Sequence, residues 1–273
     1  MQAASRESYA AAAERLDAYA RGAEPAALAA VADGLLAVAG LLREQPRLRR
    51  ALSDPARPGA DRAGLLTGLV QGKIDADAVE LAGALAGGRW SAPSELLEAA
   101  ERLGVEALLA GADRAGDLGE VEDELFRFGQ VVAADADLSN TLSDPIAPVA
   151  QRAELTRALL EGKAKPTTVR LVEVALAGFG GRSVSGALTR LVELAADRRD
   201  RQVAYVTVAA PLAEDEEHRL GSRLTELYGR EVSVKQTVDP EILGGMSVQI
   251  GADLYDGTVL RRLIETRNAL AKR

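Results

Sequence analysis

An internal repeat constrains the fold of this chain more than any other feature of its sequence. The motif Leu-Ser-Asp-Pro at 52–55 returns at 142–145, an offset of 90 residues. The alignment continues without a gap through these identical pairs: Pro58/Pro148, Ala60/Ala150, Arg62/Arg152, Ala63/Ala153, Leu65/Leu155, Leu69/Leu159, Gly72/Gly162 and Lys73/Lys163. Self-similarity at a fixed offset indicates that one structural unit occurs twice. The sequence therefore predicts two copies, at about 25–112 and 115–200.

The repeated unit has the pattern of amphipathic helices. Upstream of the motif, apolar residues step by three and four, as on one buried face of a helix. They are Leu28, Val31, Leu35, Val38, Leu41, Leu42 and Leu48, which correspond to Leu118, Val121, Leu125, Phe128, Val131, Val132 and Leu138. Because the residue before a proline avoids the helical region, a helix should end near Leu52 and near Leu142. Pro58 and Pro148 then suit the first turn of the next helix.

A leading helix is expected before the first copy, at 5–21. Its apolar stripe consists of Tyr9, Ala12, Leu16 and Tyr19. The pattern shows no counterpart of this helix before residue 118. Aromatic residues make up only 3% of the chain and β-branched residues stay sparse until about Gln202, so helix is favoured throughout 1–201.

The pattern changes after residue 201, and residues 202–273 predict a small α/β module. Strands are expected at 203–208, about 232–234 and 246–250, a helix at 214–228, and a final helix after the Asp256-Gly257 turn. Asp239-Pro240 and Gly244-Gly245 break the chain before the third strand. The predicted fold is therefore mainly α: an N-terminal helical bundle with a duplication of about 90 residues, followed by a module of order β-α-β-β-α.

Composition disfavours several classes of partner. The formal net charge of -8 and the pI near 5.0 disfavour nucleic acid and anionic membranes, because affinity for phosphate comes from Lys and Arg. Apolar stretches such as 34–42 are shorter than the roughly 18 residues that a membrane-spanning helix needs. Residues 1–21 lack the apolar core of a signal peptide, and the chain contains no cysteine. We expect a cytoplasmic protein without direct membrane insertion.

Two Gly-Lys pairs, at 72–73 and 162–163, invite comparison with a phosphate-binding loop. The earlier glycine of that loop is replaced by Thr67 or Arg157, and no Ser or Thr follows the lysine. Each glycine is better explained as the end of a helix.

Other titratable residues also have an ordinary structural explanation. His218, the only histidine, follows four acidic residues, which are common in the first turn of a helix. Asp253 and Asp256 are expected in a turn, where Asp is favoured for local hydrogen bonds. Basic residues near the chain end suit a helix C-terminus; they are Arg261, Arg262, Arg267, Lys272 and Arg273. Trp90 fits either the core or a partner contact. We therefore expect no catalytic, cofactor-binding or metal site.

The C-terminal segment carries a family resemblance. It runs through Val238-Asp239-Pro240, Leu243-Gly244-Gly245-Met246-Ser247-Val248, Ile250-Gly251, Asp256-Gly257-Thr258-Val259 and Arg261-Arg262-Leu263. This pattern resembles the delta subunit of bacterial F-type ATP synthase, a relative of the mitochondrial oligomycin-sensitivity-conferring protein. The signature residues are Asp239, Gly244, Gly245, Gly251, Asp256 and Gly257. Thr258 stands where the family has Ser, and Ala252 stands where it often has an acidic residue.

The N-terminal Ser8-Tyr9-Ala10 is similar to the start of the family's helical domain, so the resemblance covers nearly the whole chain. The extra copy resembles the enlarged delta subunits of high-GC Gram-positive bacteria. The resemblance implies a non-catalytic stator that joins the N-terminal helices of the alpha subunits in the catalytic head to a b-type stalk. The leading helix, with Tyr9, Leu16 and Tyr19, is then a candidate alpha-subunit contact.

The same resemblance implies a peripheral protein on the cytoplasmic face of the cell membrane, with no cofactor and no nucleic acid. A free-standing helical scaffold or regulator that shares the module is the alternative. The sequence leaves open which copy contacts the head, and whether the extra copy enlarges the docking platform or fills a gap between head and stalk.

Overall fold

A computed structural model describes residues 1–271 of the chain, and it describes the side chains of residues 1–264 and 267. Lys272 and Arg273 of the predicted basic end lie outside the described residues. The helices are α1 (Ala3–Ala20), α2 (Pro25–Glu44), α3 (Pro46–Ser53), α4 (Gly59–Val70), α5 (Ala76–Gly87), α6 (Pro93–Ala115), α7 (Leu118–Ala134), α8 (Ala136–Ser143), α9 (Val149–Leu160), α10 (Pro166–Leu176), α11 (Val184–Arg198), α12 (Glu214–Tyr228) and α13 (Val259–Ala271). The strands are β1 (Arg201–Val208), β2 (Glu231–Val238), β3 (Met246–Ile250) and β4 (Asp253–Asp256).

The breaks at the repeated motif lie where the prolines predict them. Helix α3 ends at Ser53 and α8 ends at Ser143, and the next residue in each case has an extended backbone. Pro58 and Pro148 stand immediately before α4 and α9, as their N-cap residues. The mainly helical fold class is therefore confirmed.

Helix boundaries recur at the offset of 90 residues. Helices α3 and α8 coincide at both ends under this offset, and so do α4 and α9. Helix α6 begins at Pro93, 90 residues after the start of α1 at Ala3. The ends of these two helices do not correspond, because α6 continues to Ala115. The absence of a counterpart of α1 before residue 118 stays a prediction from the sequence. The duplication itself stays a prediction from the sequence.

Helix α6 lies at the centre of the helical array. It packs against α1, α2, α3 and α5, which precede it in the sequence, and against α7, α10 and α11, which follow it. One continuous apolar core extends from Tyr9 in α1 to Val203 in β1. The two predicted copies therefore share a single core, with α6 in contact with both.

Helix α2 is long and apolar enough to cross a membrane by length and composition. The apolar side chains Leu28, Leu35 and Leu42 are nevertheless fully buried inside the array. A core helix of a globular protein passes the same test, and we interpret α2 as such a helix.

The C-terminal module contains a sheet with the strand order β2-β1-β3-β4. Strands β1 and β2 are parallel and are connected by α12, whereas β3 runs antiparallel to β1. The fourth strand, β4, pairs antiparallel with β3 and was not predicted. Apolar residues of one face of the sheet form a second core with Leu224 of α12.

The structure confirms one local prediction and decides one open alternative. Gly72 and Gly162 have positive φ values of 74° and 67° and follow the ends of α4 and α9, as expected for helix-ending glycines. Trp90 belongs to the core, since it is 5% exposed and its indole Nε1 donates to the carbonyl of Leu85 at 2.9 Å.

Candidate docking surfaces

The described part of the chain contains several exposed surfaces and depressions. Within the described residues, no group of three or more His, Asp or Glu side chains is placed to hold a metal ion. His218 lies exposed on α12, at the border of a depression of about 620 Å³ that Lys235 also lines.

The paired glycines of the family signature form a tight turn before β3. Gly244 and Gly245 have φ values of 144° and 80°, which L-residues rarely adopt. A Cβ atom on Gly245 would lie 2.4 Å from the carbonyl oxygen of Gly257. The amide of Gly257 donates to the carbonyl of Met246 at 2.9 Å. This approach between two turns is possible only without a side chain at residue 245.

The signature aspartates hold neighbouring turns. The carboxylate of Asp239 accepts a hydrogen bond from the amide of Glu241 at 2.9 Å. The carboxylate of Asp256 accepts from the hydroxyl of Thr258 at 2.7 Å and from its amide at 3.0 Å. These bonds hold the pKa of Asp256 below its usual value. Thr258 therefore provides the hydroxyl group that Ser provides at the same position in the family.

Asp253 does not lie in the predicted turn. It is the first residue of β4, and its carboxylate accepts a hydrogen bond from the phenol of Tyr228 at 2.9 Å. Asp256 ends the same strand, so the two carboxylates are separated by the length of β4. Their assignment to a single turn is corrected, because antiparallel pairing with β3 extends the backbone there.

The turns present an apolar surface, which we call the module edge. It consists of Leu254, Tyr255, Val259, Leu260 and Leu263, each of them at least 38% exposed. In α13, residues 259, 260 and 263 follow the spacing of one helical face. Leu254 and Tyr255 are neighbours in β4, so their side chains point to opposite faces of the sheet. The shared exposed face is therefore that of α13, and exposed apolar patches commonly mark a site of protein–protein contact. The module edge is the first candidate docking surface.

The predicted contact residues of α1 face inward. Tyr9 is 7% exposed and Leu16 is 1% exposed, and the phenol of Tyr9 donates to Glu106 in α6 at 2.9 Å. Burial raises the pKa of Tyr9. Tyr19 is half-buried, and its pKa is raised by burial and by a hydrogen bond with Asp77 in α5. Tyr9 and Leu16 hold α1 in the bundle, so a partner can only reach α1 on another face.

An accessible face of α1 borders a shallow groove. The groove has a volume of about 380 Å³ and lies between α1 and the end of α5. Its floor consists of small residues, among them Ala4, Ser8, Ala11, Gly87 and Gly88. Small side chains let another helix approach closely, since the backbones can then pack at short distance. This groove is the second candidate docking surface.

Polar contacts, several of them around the buried Glu122, join the module to the helical array. Glu122 in α7 is completely buried and pairs with Lys235 in β2 at 2.8 Å and with Arg199 at 2.9 Å. It also accepts a hydrogen bond from the hydroxyl of Ser233 at 2.6 Å. The side chain of Gln130, two turns further along α7, donates to Thr237 at 2.7 Å. The sequence analysis missed this cluster, because its members lie far apart in the chain.

Comparisons with known proteins identify the family of the chain. The family model described as "ATP synthase delta (OSCP) subunit" matches residues 105–270, from the middle of α6 through most of α13. Helices α1–α5, with the Ser8-Tyr9-Ala10 resemblance, lie outside that match.

Full-length relatives cover those helices as well. The "ATP synthase subunit delta" of Salinispora arenicola (strain CNS-205) is 76% identical over 274 residues, with 100% of both chains covered. The same-named proteins of Frankia casuarinae and Streptomyces griseus subsp. griseus are 43% and 42% identical, each with 100% of its own length covered and with 100% and 99% of this chain covered. Since the family model covers more than half of the chain and these relatives cover all or nearly all of it, the chain belongs to the ATP synthase delta (OSCP) subunit family.

Proposed function

We propose that this protein is a non-catalytic subunit of the peripheral stalk of a proton-translocating F-type ATP synthase. In this role it links the alpha subunits of the catalytic head to the b-type stalk, and it resists the torque of the rotor. It is then held peripherally at the cytoplasmic face of the cell membrane through the assembled complex. Family membership supports the assignment to the synthase, and the surfaces of this chain support the linking role.

The module edge is the observation that carries the proposal. Three of its apolar side chains, Val259, Leu260 and Leu263, lie on one face of α13 and are at least 38% exposed. An amphipathic helix that docks there would bury these side chains together with its own apolar face. A stalk built from long helices offers such a partner, so we assign the module edge to the b-type stalk.

The groove beside α1 supports the contact with the head. It lies at the opposite end of the sequence from the module edge, and its floor of small residues suits a docked helix. The two surfaces belong to α1–α5 and to β4–α13, which are connected through the shared core and through Glu122. One chain can thus hold two partners at once, as a linking subunit must.

The experiment measures binding of the full chain to the soluble part of the b-type stalk subunit from the same synthase. The double variant Leu260→Asp/Leu263→Asp places two charges on the module edge. We expect its dissociation constant to rise by at least about ten-fold, because charges would be buried without partners. Calorimetry or surface plasmon resonance provides the readout.

A matched control carries the same kind of change elsewhere. Ile146 lies in the turn between α8 and α9 and is 89% exposed, so Ile146→Asp should leave binding unchanged. Equal weakening by both variants, or no weakening by either, would contradict the assignment of the module edge. Failure of the unmodified chain to bind any synthase subunit would favour a free-standing scaffold.

A further inference from the structure

The outer edge of β2 lies at the floor of a groove. Strand β2 is the end strand of the sheet, and it pairs only with β1. Residues 231–235 line the depression of about 620 Å³ that His218 borders. Helix α7 contributes Gly119 and Asp123 to its lining, and α12 contributes Gly221 and Ser222. The free edge of β2 is therefore recessed between two helices, and we call this depression the β2 groove.

Side-chain hydrogen bonds show which residues of β2 direct their backbone groups to the free edge. The amide of Val232 donates to the hydroxyl of Thr225 in α12 at 3.1 Å. The carbonyl of Gln236 accepts from the side-chain amide of Gln130 in α7 at 3.1 Å. Successive residues of a strand direct their amide and carbonyl groups to alternate edges. Val232, Val234 and Gln236 therefore face the free edge, and the residues between them bond to β1.

A short stretch of this edge is open between the two side-chain bonds. Among the described residues, no group bonds to the carbonyl of Val232, to the amide or carbonyl of Val234, or to the amide of Gln236. Unpaired backbone groups in a row are a template for a further strand. Thr225 and Gln130 close the two ends, so the template matches a segment of about five residues in antiparallel pairing.

The shape of the groove selects an extended segment as its occupant. A helix cannot bond to the edge, because its own backbone groups are paired internally. A second copy of the chain cannot pair edge to edge, because its β2 is recessed between the same two helices. A single extended segment needs only the spacing of about 4.8 Å between neighbouring strands. Gly119 and Gly221 carry no side chain, which leaves room for this segment on both walls.

The charges of the groove restrict the side chains of that segment. Each lysine and arginine in its lining already has a carboxylate partner. The pairs are Lys235 with Asp123, Arg199 with Glu122 at 2.9 Å, and Arg201 with Glu231 at 2.5 Å. A charged residue of the segment would lose water without gaining a free counter-charge from these pairs. The groove therefore favours uncharged residues, which it recognises mainly through backbone hydrogen bonds.

We propose that the β2 groove binds an uncharged, extended segment of a neighbouring subunit, which adds a fifth strand to the four-stranded sheet. The added strand lies outside β2, whereas the module edge begins at β4 on the opposite edge of the sheet. The module thus has a second binding site that is separate from the module edge. That the neighbour is a synthase subunit rests on the proposed function, whereas its extended backbone follows from the open edge alone.

The first measurement tests the open edge in the free, full-length chain. Nuclear magnetic resonance follows the hydrogen exchange of single backbone amides in β2. We expect the amides of Val234 and Gln236 to exchange at least about ten-fold faster than those of Ser233 and Lys235, which bond to β1. Equal protection of the four amides would show that the edge is already bonded, and would overturn the proposal.

The second measurement compares the free chain with the purified synthase that contains it, by residue-resolved hydrogen exchange and mass spectrometry. Strand addition should slow the exchange of the Val234 and Gln236 amides by at least about ten-fold, because both become hydrogen-bonded.

The variant Val234→Pro removes an amide that the fold leaves unbonded, and an edge strand accepts proline where its N–H faces outward. The matched control Val234→Ala also changes the side chain that packs against the second core, but it keeps the amide. In the assembled synthase, Gln236 should exchange at its free-chain rate in Val234→Pro and should be slowed in Val234→Ala. Circular dichroism and thermal unfolding verify that both variants are folded. If Val234→Pro does not fold, the exchange of the unmodified chain decides.

Three further results would overturn the proposal. Unchanged exchange of Val234 and Gln236 in a synthase that contains the chain would exclude strand addition, while the proposed function would stand. Slowing of Gln236 in Val234→Pro as well would show that a neighbouring subunit merely shields the groove. A chain that does not assemble with the synthase at all would contradict the proposed function, and the β2 groove would lose its proposed partner with it.

Discussion

The carboxylate of Glu122 in α7 lies 2.8 Å from the ammonium group of Lys235 in β2, and the two side chains are 0% and 6% exposed. Lys235 also pairs with Asp123, and Arg199 provides a second cation for Glu122 at 2.9 Å. A buried charge is tolerated only when it is paired and hydrogen-bonded. Removal of any one of these groups would leave another charge buried without its partner. The cluster therefore fixes the module to the helical array.

Glu122→Ala should lower the free energy of unfolding by about 3 kcal/mol, because it leaves the charges of Lys235 and Arg199 without their buried partner. Urea unfolding followed by circular dichroism measures this change. The control Glu226→Ala removes an exposed pair with Arg223, whose side chains are 70% and 83% exposed, and should cost less than about 0.5 kcal/mol. A loss of similar size in both variants would show that the Glu122 cluster does not hold the module.

Gly245→Ala should destabilise the chain by at least about 2 kcal/mol, because alanine is strained at the φ of 80° and its Cβ would collide with the carbonyl of Gly257. The matched control is Gly68→Ala in α4, where a Cβ meets no atom within 4 Å. That change should stabilise the chain by about 0.5–1 kcal/mol. Urea unfolding of both variants checks the opposite signs. An unchanged urea midpoint for Gly245→Ala would contradict the explanation that the close approach to Gly257 requires glycine at residue 245.

The helix boundaries could be predicted from the sequence because prolines act locally. Pro55 and Pro145 end α3 and α8 whatever packs around them. The apolar stripe of α1 likewise predicted a buried face, and Tyr9 and Leu16 do lie in the core. The same stripe could not identify a docking face, since a partner reaches a helix on the side that the core leaves free.

Features that depend on tertiary contacts could not be predicted. The strand β4 consists of four exposed residues, Asp253–Asp256, and it exists because β3 provides a hydrogen-bonding edge. The ion pair of Glu122 and Lys235 joins residues from separate elements, with no local signal in either. The groove beside α1 is assembled from α1 and the end of α5. The Glu122–Lys235 pair joins segments that no short window of sequence contains, whereas β4 follows β3 directly and was missed because its residues are exposed.

The N-terminal contact of α1 should weaken in acid. The hydroxyl of Ser5 donates to the carboxylate of Glu95 at 2.6 Å, and the amide of Gln2 donates to it at 2.7 Å. The Ser5 bond is the main cause that lowers the pKa of Glu95 below its ordinary 4.5. A lowered pKa means that the ionised form stabilises the fold. This contribution is fully present above pH 4.5 and is lost as the pH falls through the lowered pKa.

Nuclear magnetic resonance titration of the Glu95 carboxyl carbon should place its midpoint below 4.5. Amide exchange in α1, corrected for the intrinsic pH dependence of exchange, should become less protected over the same interval. In Glu95→Gln the protection of α1 should lose this part of its pH dependence, because the amide does not titrate. A midpoint at or above the ordinary value would contradict the role of the Ser5 hydrogen bond.

The pair α8–α9 should open more readily than its counterpart α3–α4. Arg62 in α4 donates to the carbonyls of Asp54, Gly87 and Gly88 at 3.0, 3.0 and 2.8 Å, and so ties α4 to the end of α5. Arg152 in α9 donates to the carbonyl of Leu142 at 2.7 Å, and the described residues offer it no bond to α10. Fewer anchoring contacts lower the free energy of local opening.

Hydrogen exchange measured by mass spectrometry should therefore be about ten-fold faster in α8–α9 than in α3–α4. A ten-fold difference corresponds to an opening free energy that is lower by about 1.4 kcal/mol. Core packing favours the same difference, because the buried Leu66 of α4 corresponds, 90 residues later, to the buried but polar Thr156 of α9. Arg62→Ala should bring the exchange of α4 close to that of α9, whereas Arg152→Ala should have a smaller effect, because it removes fewer bonds. Equal exchange in the two pairs of the unmodified chain would show that these arginine contacts do not set the stability of either copy.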